Sequence, residues 1–304
     1  MLHELCSALS SCQKKEEGQK SKSQDSVSVV QKSISQQIAK DTTLSTIESE
    51  NATSESEDTT STSMQQDVIF AFCDSSGRYL IGGGVDSLSS GPYYVIASGG
   101  DTIALQQIGY RKESEQSNSR QIATNFSYTG GNLFRIDTNL LKSDQTYLIV
   151  SKRFLIEHHP LHIHLKNYTS IDSTNLERIS RARARKVQKS WNYASLDTTG
   201  EIDIVMFEPN EVDALASLVL IKSSSLIFED YVGDLSNEGS VWRVDDGGEF
   251  EAETINVIAA FQSPDGIELA RTWAGAEGES AMFLRQSFNR FISVLDDYRY
   301  WVPE

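Results

Sequence analysis

The sequence predicts an α+β fold dominated by β-structure, with mainly antiparallel strands in a meander or sandwich and one amphipathic helix near 174–190. Three observations carry this reading. All 12 Phe, 11 Tyr and 4 Trp lie at or beyond Phe70, so the core must come from residues after about 66. From Asp67 onward, short apolar runs alternate with Gly, Ser, Asn and Asp clusters, which is the punctuation of strands and turns. One segment carries helical spacing behind a capping motif.

In chain order, residues 1–66 are rich in Ser, Thr, Gln and Glu and cannot bury enough apolar area to offset the entropy of ordering. They are expected to form a disordered tether. Val27, Val30, Ile34 and Ile38 have helical spacing, which alone does not stabilise a helix in water. The runs at 68–72, 78–81, 93–96, 102–106, 121–128, 133–136 and 147–150 read as strands.

The helix signal follows. In Thr174-Asn175-Leu176-Glu177 the threonine can accept from the N3 amide while the glutamate reaches back, so a helix should start there. Leu176, Ile179, Val187 and Trp191 then share one side, as in a helix packed on a sheet. A second strand series covers 201–207, 214–221, 226–231, 241–244, 255–261, 267–273, 281–285 and 291–295. Ser263-Pro264-Asp265-Gly266 supplies hairpin-turn chemistry. The expected division is a β-rich unit over 67–170 and a helix plus antiparallel meander over 171–304, with 67–304 as one domain the alternative.

A formal net charge of −16 repels polyanions, and no aromatic-plus-basic motif offsets it, so nucleic acid is not an expected partner. Cysteine occurs only at positions 6, 12 and 73, which excludes a disulfide framework. Cys73 sits in an apolar strand and reads as a buried thiol. No apolar run approaches the ~20 residues of a transmembrane helix.

Leu9-Ser10-Ser11-Cys12 resembles the lipobox of bacterial lipoproteins, in which the cysteine is lipidated and becomes the mature N-terminus. A flexible polar stretch, here from Gln13, is similar to the linker of such proteins. The resemblance covers about a dozen residues and implies a lipid anchor at Cys12. Residues 1–5 contain Glu4, no Lys or Arg and no long apolar stretch, so it also implies a start codon further upstream. An ordinary terminus of a cytoplasmic protein is the alternative.

Four of the five histidines lie within 158–164. On a strand, His162 and His164 share one face, with His158 of the same parity beyond Pro160, and such imidazoles can chelate zinc or copper. The competing reading is the polar face of an edge strand, where proline is tolerated. Arg178, Arg181, Arg185 and Lys189 would form one helical stripe able to bind phosphate, an acidic glycan or a carboxylate. A solvated helix face that balances nearby Asp and Glu is the favoured reading, and Arg183, nearer the apolar side, suits a specific buried ion pair.

Asp245, Asp246, Glu249 and Glu251 lack calcium-loop spacing, and Gly82-Gly83-Gly84 lacks the remainder of a phosphate loop. Trp242, Trp273, Tyr298, Tyr300 and Trp301 can form a stacking platform for sugar, although cross-strand packing uses the same residues. Nucleophile-elbow and zinc-protease motifs are missing. The expectation is therefore a non-catalytic lipoprotein of the bacterial envelope, a binding module with a protein or glycan partner and no cofactor. The alternative is a metal-dependent, hydrolytic enzyme using His158, His162 and His164.

Overall fold

The computed structural model describes residues 64–83, 88–97, 99–237, 239–243 and 247–301, all within one compact unit, Ser54–Glu304. The expected tether up to residue 63 and the lipidation candidate Cys12 lie outside the described residues.

The first half forms a closed six-stranded antiparallel barrel. Its strands are β1 (Val68–Cys73), β2 (Tyr79–Gly82), β3 (Tyr93–Ile96), β4 (Thr102–Arg111), β5 (Gly131–Arg135) and β6 (Thr146–Ser151). They close in the order β1-β2-β5-β4-β3-β6. Alternation along β1 sends Ile69, Ala71 and Cys73 inward with Leu80, Tyr93, Phe134 and Ile149. Val68 and Phe70 face outward, yet are buried against the second sheet, which explains why this strand is a continuous apolar run.

That second sheet has ten strands. They are β7 (His159–Pro160), β8 (Ile163–Thr169), β9 (Val187–Leu196), β10 (Gly200–Phe207), β11 (Ala214–Ile221), β12 (Leu226–Gly233), β13 (Ile255–Ser263), β14 (Gly266–Ala274), β15 (Gly278–Ser287) and β16 (Arg290–Tyr300). Two antiparallel meanders, β8 to β12 and β13 to β16, meet at a single parallel bridge between Phe228 and Arg290.

The sheet must curl, because its two edge strands are consecutive in the chain. β7 and β8 are separated only by Leu161 and His162, a span of at most about 11 Å. Tyr193 on β9 ties the roll together by donating to Asn256 Oδ1 at 3.1 Å and accepting from the Val257 amide at 2.9 Å. Leu196, Ile204, Leu218, Ile227, Leu269 and Leu284 fill the inside of the roll. Outside, Ala259, Phe261, Ala270 and Phe283 pack on the barrel's Val68, Phe70, Leu148 and Val150.

The helix α1 (Ser173–Arg183) covers another part of the outer face through Ile179 and Leu176, over Val205, Phe207, Val219 and Phe228. Its start and end both differ from expectation. Asp172 is the cap, with Oδ1 accepting from Thr174 N at 2.9 Å and Asn175 N at 3.1 Å, which makes the Thr174–Glu177 box unnecessary. Ala184 then adopts a left-handed conformation (φ 50°), and 187–190 open β9 instead of continuing the helix. Val187 and Trp191 fit either period, and pairing with β10 decided for the strand.

Other expectations also moved. Residues 121–128 form bends around a short 3-10 turn, Ala123–Asn125, because buried Asn125 donates to Arg120 O at 2.8 Å in place of a strand ladder. Val241 to Arg243 lie in a loop, with Val244 outside the described residues. The break between the two sheets falls between Ser151 and His159, since β8 pairs with β9.

Candidate functional site

Beyond the Phe228–Arg290 bridge, β12 and β16 separate and a cleft of about 680 Å³ opens into the roll. That size suits a small ligand or a short peptide, since such sites run from ~300 to ~1,000 Å³. Its side chains follow from strand parity. Arg271 and Trp273 share the inward face of β14 with Ile267 and Leu269, and Glu229 and Tyr231 share the inward face of β12 with Ile227. Tyr298 stands opposite Ser280 across β15 and β16, which puts it on the same side.

The walls are aromatic. Tyr231 meets Trp273 edge-on at 4.8 Å, Phe250 backs Trp242 at 5.1 Å, and the Arg243 guanidinium lies 4.9 Å over the Trp273 ring. The floor is ionic. Arg271 Nε donates to Glu229 Oε1 at 2.8 Å, Nη2 donates to the same oxygen, and Tyr231 Oη donates to Glu229 Oε2 at 2.8 Å.

Burial drives the Tyr231 phenol well above its ordinary pKa, with the Glu229 carboxylate adding to the effect. Burial alone would lower the Arg271 guanidinium, but the oxygens of Tyr231 and Glu229 beside it outweigh that and raise it. Glu229 and Arg271 therefore satisfy each other and serve as anchors at the bottom of the cleft, and the exposed Glu277 also lines it.

Of the aromatic candidates, the structure brings Trp242, Trp273 and Tyr298 together here. Tyr300 is elsewhere, its amide donating to Gln121 Oε1 at 2.8 Å, and Trp301 lies under the Arg299 guanidinium at 4.6 Å. Glu229, Tyr231 and Arg271 escaped sequence reading. Their signal was present: Arg271 and Glu229 interrupt apolar strands at inward parity, where a charge demands a partner.

The histidines divide. His158 hydrogen-bonds buried Glu268 and stacks on Phe154 with ring centroids 3.9 Å apart, inside the packing between barrel and sheet. His162 and His164 are exposed beside Asp197: the His162 amide donates to Asp197 Oδ2 at 2.9 Å, and His164 Nε2 is 3.4 Å from Oδ1. Among the described residues, no group of three or more His, Cys, Asp or Glu side chains is arranged to hold a metal ion.

The basic residues do not form one stripe, because α1 ends early. Arg178 donates to Asn175 Oδ1 and the Lys222 carbonyl, Arg185 pairs with Asp213 in the turn, Arg181 is in the last turn of the helix, and Lys189 is on β9. Arg183 has a specific partner, Asp230 at 2.9 Å, but the pair is not the buried one expected, because the Asp230 side chain is exposed; the guanidinium sits 3.6 Å over the Phe228 ring.

Gly82 is a close-approach glycine, since a Cβ there would lie 2.1 Å from the Phe70 carbonyl oxygen; Gly84 is outside the described residues. Asp245 and Asp246 of the acidic loop are likewise outside them. Burial pushes the Cys73 thiol up to about 12, which makes it inert at neutral pH. No helix among the described residues is long and apolar enough to cross a membrane. No protein-family model, curated protein or solved structure matches the chain.

Proposed function

We propose that this chain is a non-catalytic binding module, held to a bacterial envelope by a lipidated N-terminal segment, and that its ligand occupies the cleft between β12 and β16. The observation that carries the reading is the combination of aromatic walls, Trp273 and Tyr231 foremost, with an Arg271–Glu229 pair already neutralised within itself. Such a site gives stacking area on its walls and fixed dipoles at its floor. The envelope part rests on the lipobox-like Leu9-Ser10-Ser11-Cys12 and the polar stretch behind it.

A combined glycan and peptide array, probed with the full chain and with Trp273→Ala, tests the cleft. The reading expects a set of ligands for the wild type that the variant loses. Undiminished binding by the variant, or no binding by either, contradicts it.

A further inference from the structure

We infer that the cleft takes a short extended peptide, which adds to the open edge of β12 and places a side chain among Trp273, Trp242 and Tyr298. The inference rests on the reading of the cleft as the ligand site and names the class of its ligand. It starts from backbone direction. The Phe228 amide donates to the Asn289 carbonyl at 3.1 Å, so it points toward β16. β12 pairs with β11 in unbroken register from Leu226 to Gly233, and amide direction repeats every second residue. The amides and carbonyls of Asp230 and Val232 therefore face the same way as those of Phe228.

Pairing with β16 has ended by then, since Phe228–Arg290 is the single bridge. The next amide of this parity, Asp234, is taken by the Val241 carbonyl at 2.8 Å. Among the described residues, an open stretch of edge is thus left at Asp230 and Val232, closed at one end by Asn289 and at the other by Val241.

The side chains of these two residues corroborate the direction. The Asp230 carboxylate is turned to the outer face, where Arg183 and Ser217 hold it, and Val232 is exposed, yet both residues line the cleft. What they offer to it is main chain. Strand edges recognise extended peptides by backbone hydrogen bonds, with pockets for alternate side chains giving specificity. The aromatic walls beside this edge provide such a pocket, and a ring is the group that packs best between Trp273 and Tyr298. A sugar would use the same rings but has no alternating donors and acceptors to match the edge.

The test pans a random heptapeptide display library on the full chain and measures the recovered peptides on wild type, Trp273→Ala and Val232→Pro. Proline at 232 removes an amide that faces the cleft and leaves pairing with β11 intact. Circular dichroism checks that the variant folds. The expectation is peptides containing an aromatic residue whose affinity falls at least tenfold in both variants. Amide exchange on the wild type provides a readout independent of proline, and the bound peptide should slow Asp230 and Val232.

Peptides that bind Val232→Pro as tightly as wild type, with no slowing of those two amides, overturn the inference. So does recovery of no peptide. Glycans that bind the wild type and not Trp273→Ala, with no peptide recovered, overturn the peptide assignment while leaving the cleft as the ligand site.

Discussion

Arg271 on β14 reaches Glu229 on β12 through the interior of the rolled sheet, although β15 and β16 lie between those strands in the sheet order. The contact is possible only because the sheet curls, and it braces the roll where the β12–β16 seam is weakest. Breaking a buried pair on one side leaves an uncompensated charge, a loss of about 3 to 5 kcal/mol. Glu229→Gln should therefore destabilise the chain severely in urea unfolding. A double replacement, Glu229→Leu with Arg271→Met, should recover much of the loss. Additive losses in the double variant would mean that the two side chains do not act as a pair.

Asp203 gives a pH dependence of definite sign. It is fully buried on β10, bonded by Asn192 Nδ2, with Oδ2 lacking a hydrogen-bond partner. Burial raises its pKa to about 7, and the nearby Glu201 carboxylate adds to this. The unfolded carboxyl ionises near pH 4, so the native state binds the proton more tightly. Its contribution to stability is complete below about pH 4 and is lost as pH rises to about 7, a change of order 4 kcal/mol. Asp203→Asn should keep the Asn192 bond and flatten the fall in stability between pH 4 and 7. A variant whose pH profile parallels the wild type would contradict the assignment.

The histidines should separate by burial. His158→Ala removes a bond to fully buried Glu268 and the stack on Phe154, and should cost about 1 to 3 kcal/mol. His162→Ala and His164→Ala, both exposed, should stay within about 0.5 kcal/mol. Thermal unfolding of the three variants checks this, and saturating zinc should leave Tm unchanged in all of them and in the wild type. A zinc-dependent rise in the wild type that both exposed variants lose would favour the metal reading.

The anchor has its own test. Expressed in a bacterium with its natural upstream region, the chain should carry lipid on Cys12, and Cys12→Ala should leave it in the soluble fraction. Unmodified Cys12 in the intact mass of membrane-free protein would contradict the anchor.

Much of the architecture was legible because its signals are local. The apolar runs at 68–72 and 214–221 and the Ser263–Gly266 turn are strands and a hairpin because alternation and turn chemistry act within a few residues. The helix end was not, since Ala184 carries no glycine-like signal and Val187 to Trp191 fit either period until β10 pairs with them. Three of the cleft aromatics could be named in advance, but not their convergence. That depends on the curl of ten strands and on a seam that separates after Phe228, which are properties of long-range pairing. Tyr300 and Trp301 belong to the same stretch as Tyr298 and still point to other partners.

Amide hydrogen exchange on the whole chain, with and without its tightest array ligand, tests the central claim most directly. If the cleft is the ligand site, added protection concentrates at Glu229 to Val232, at Trp273, along the Gly275 to Gly278 turn and at Tyr298. Protection gathered instead around His162, His164 and Asp197, with the cleft unchanged, would contradict the account.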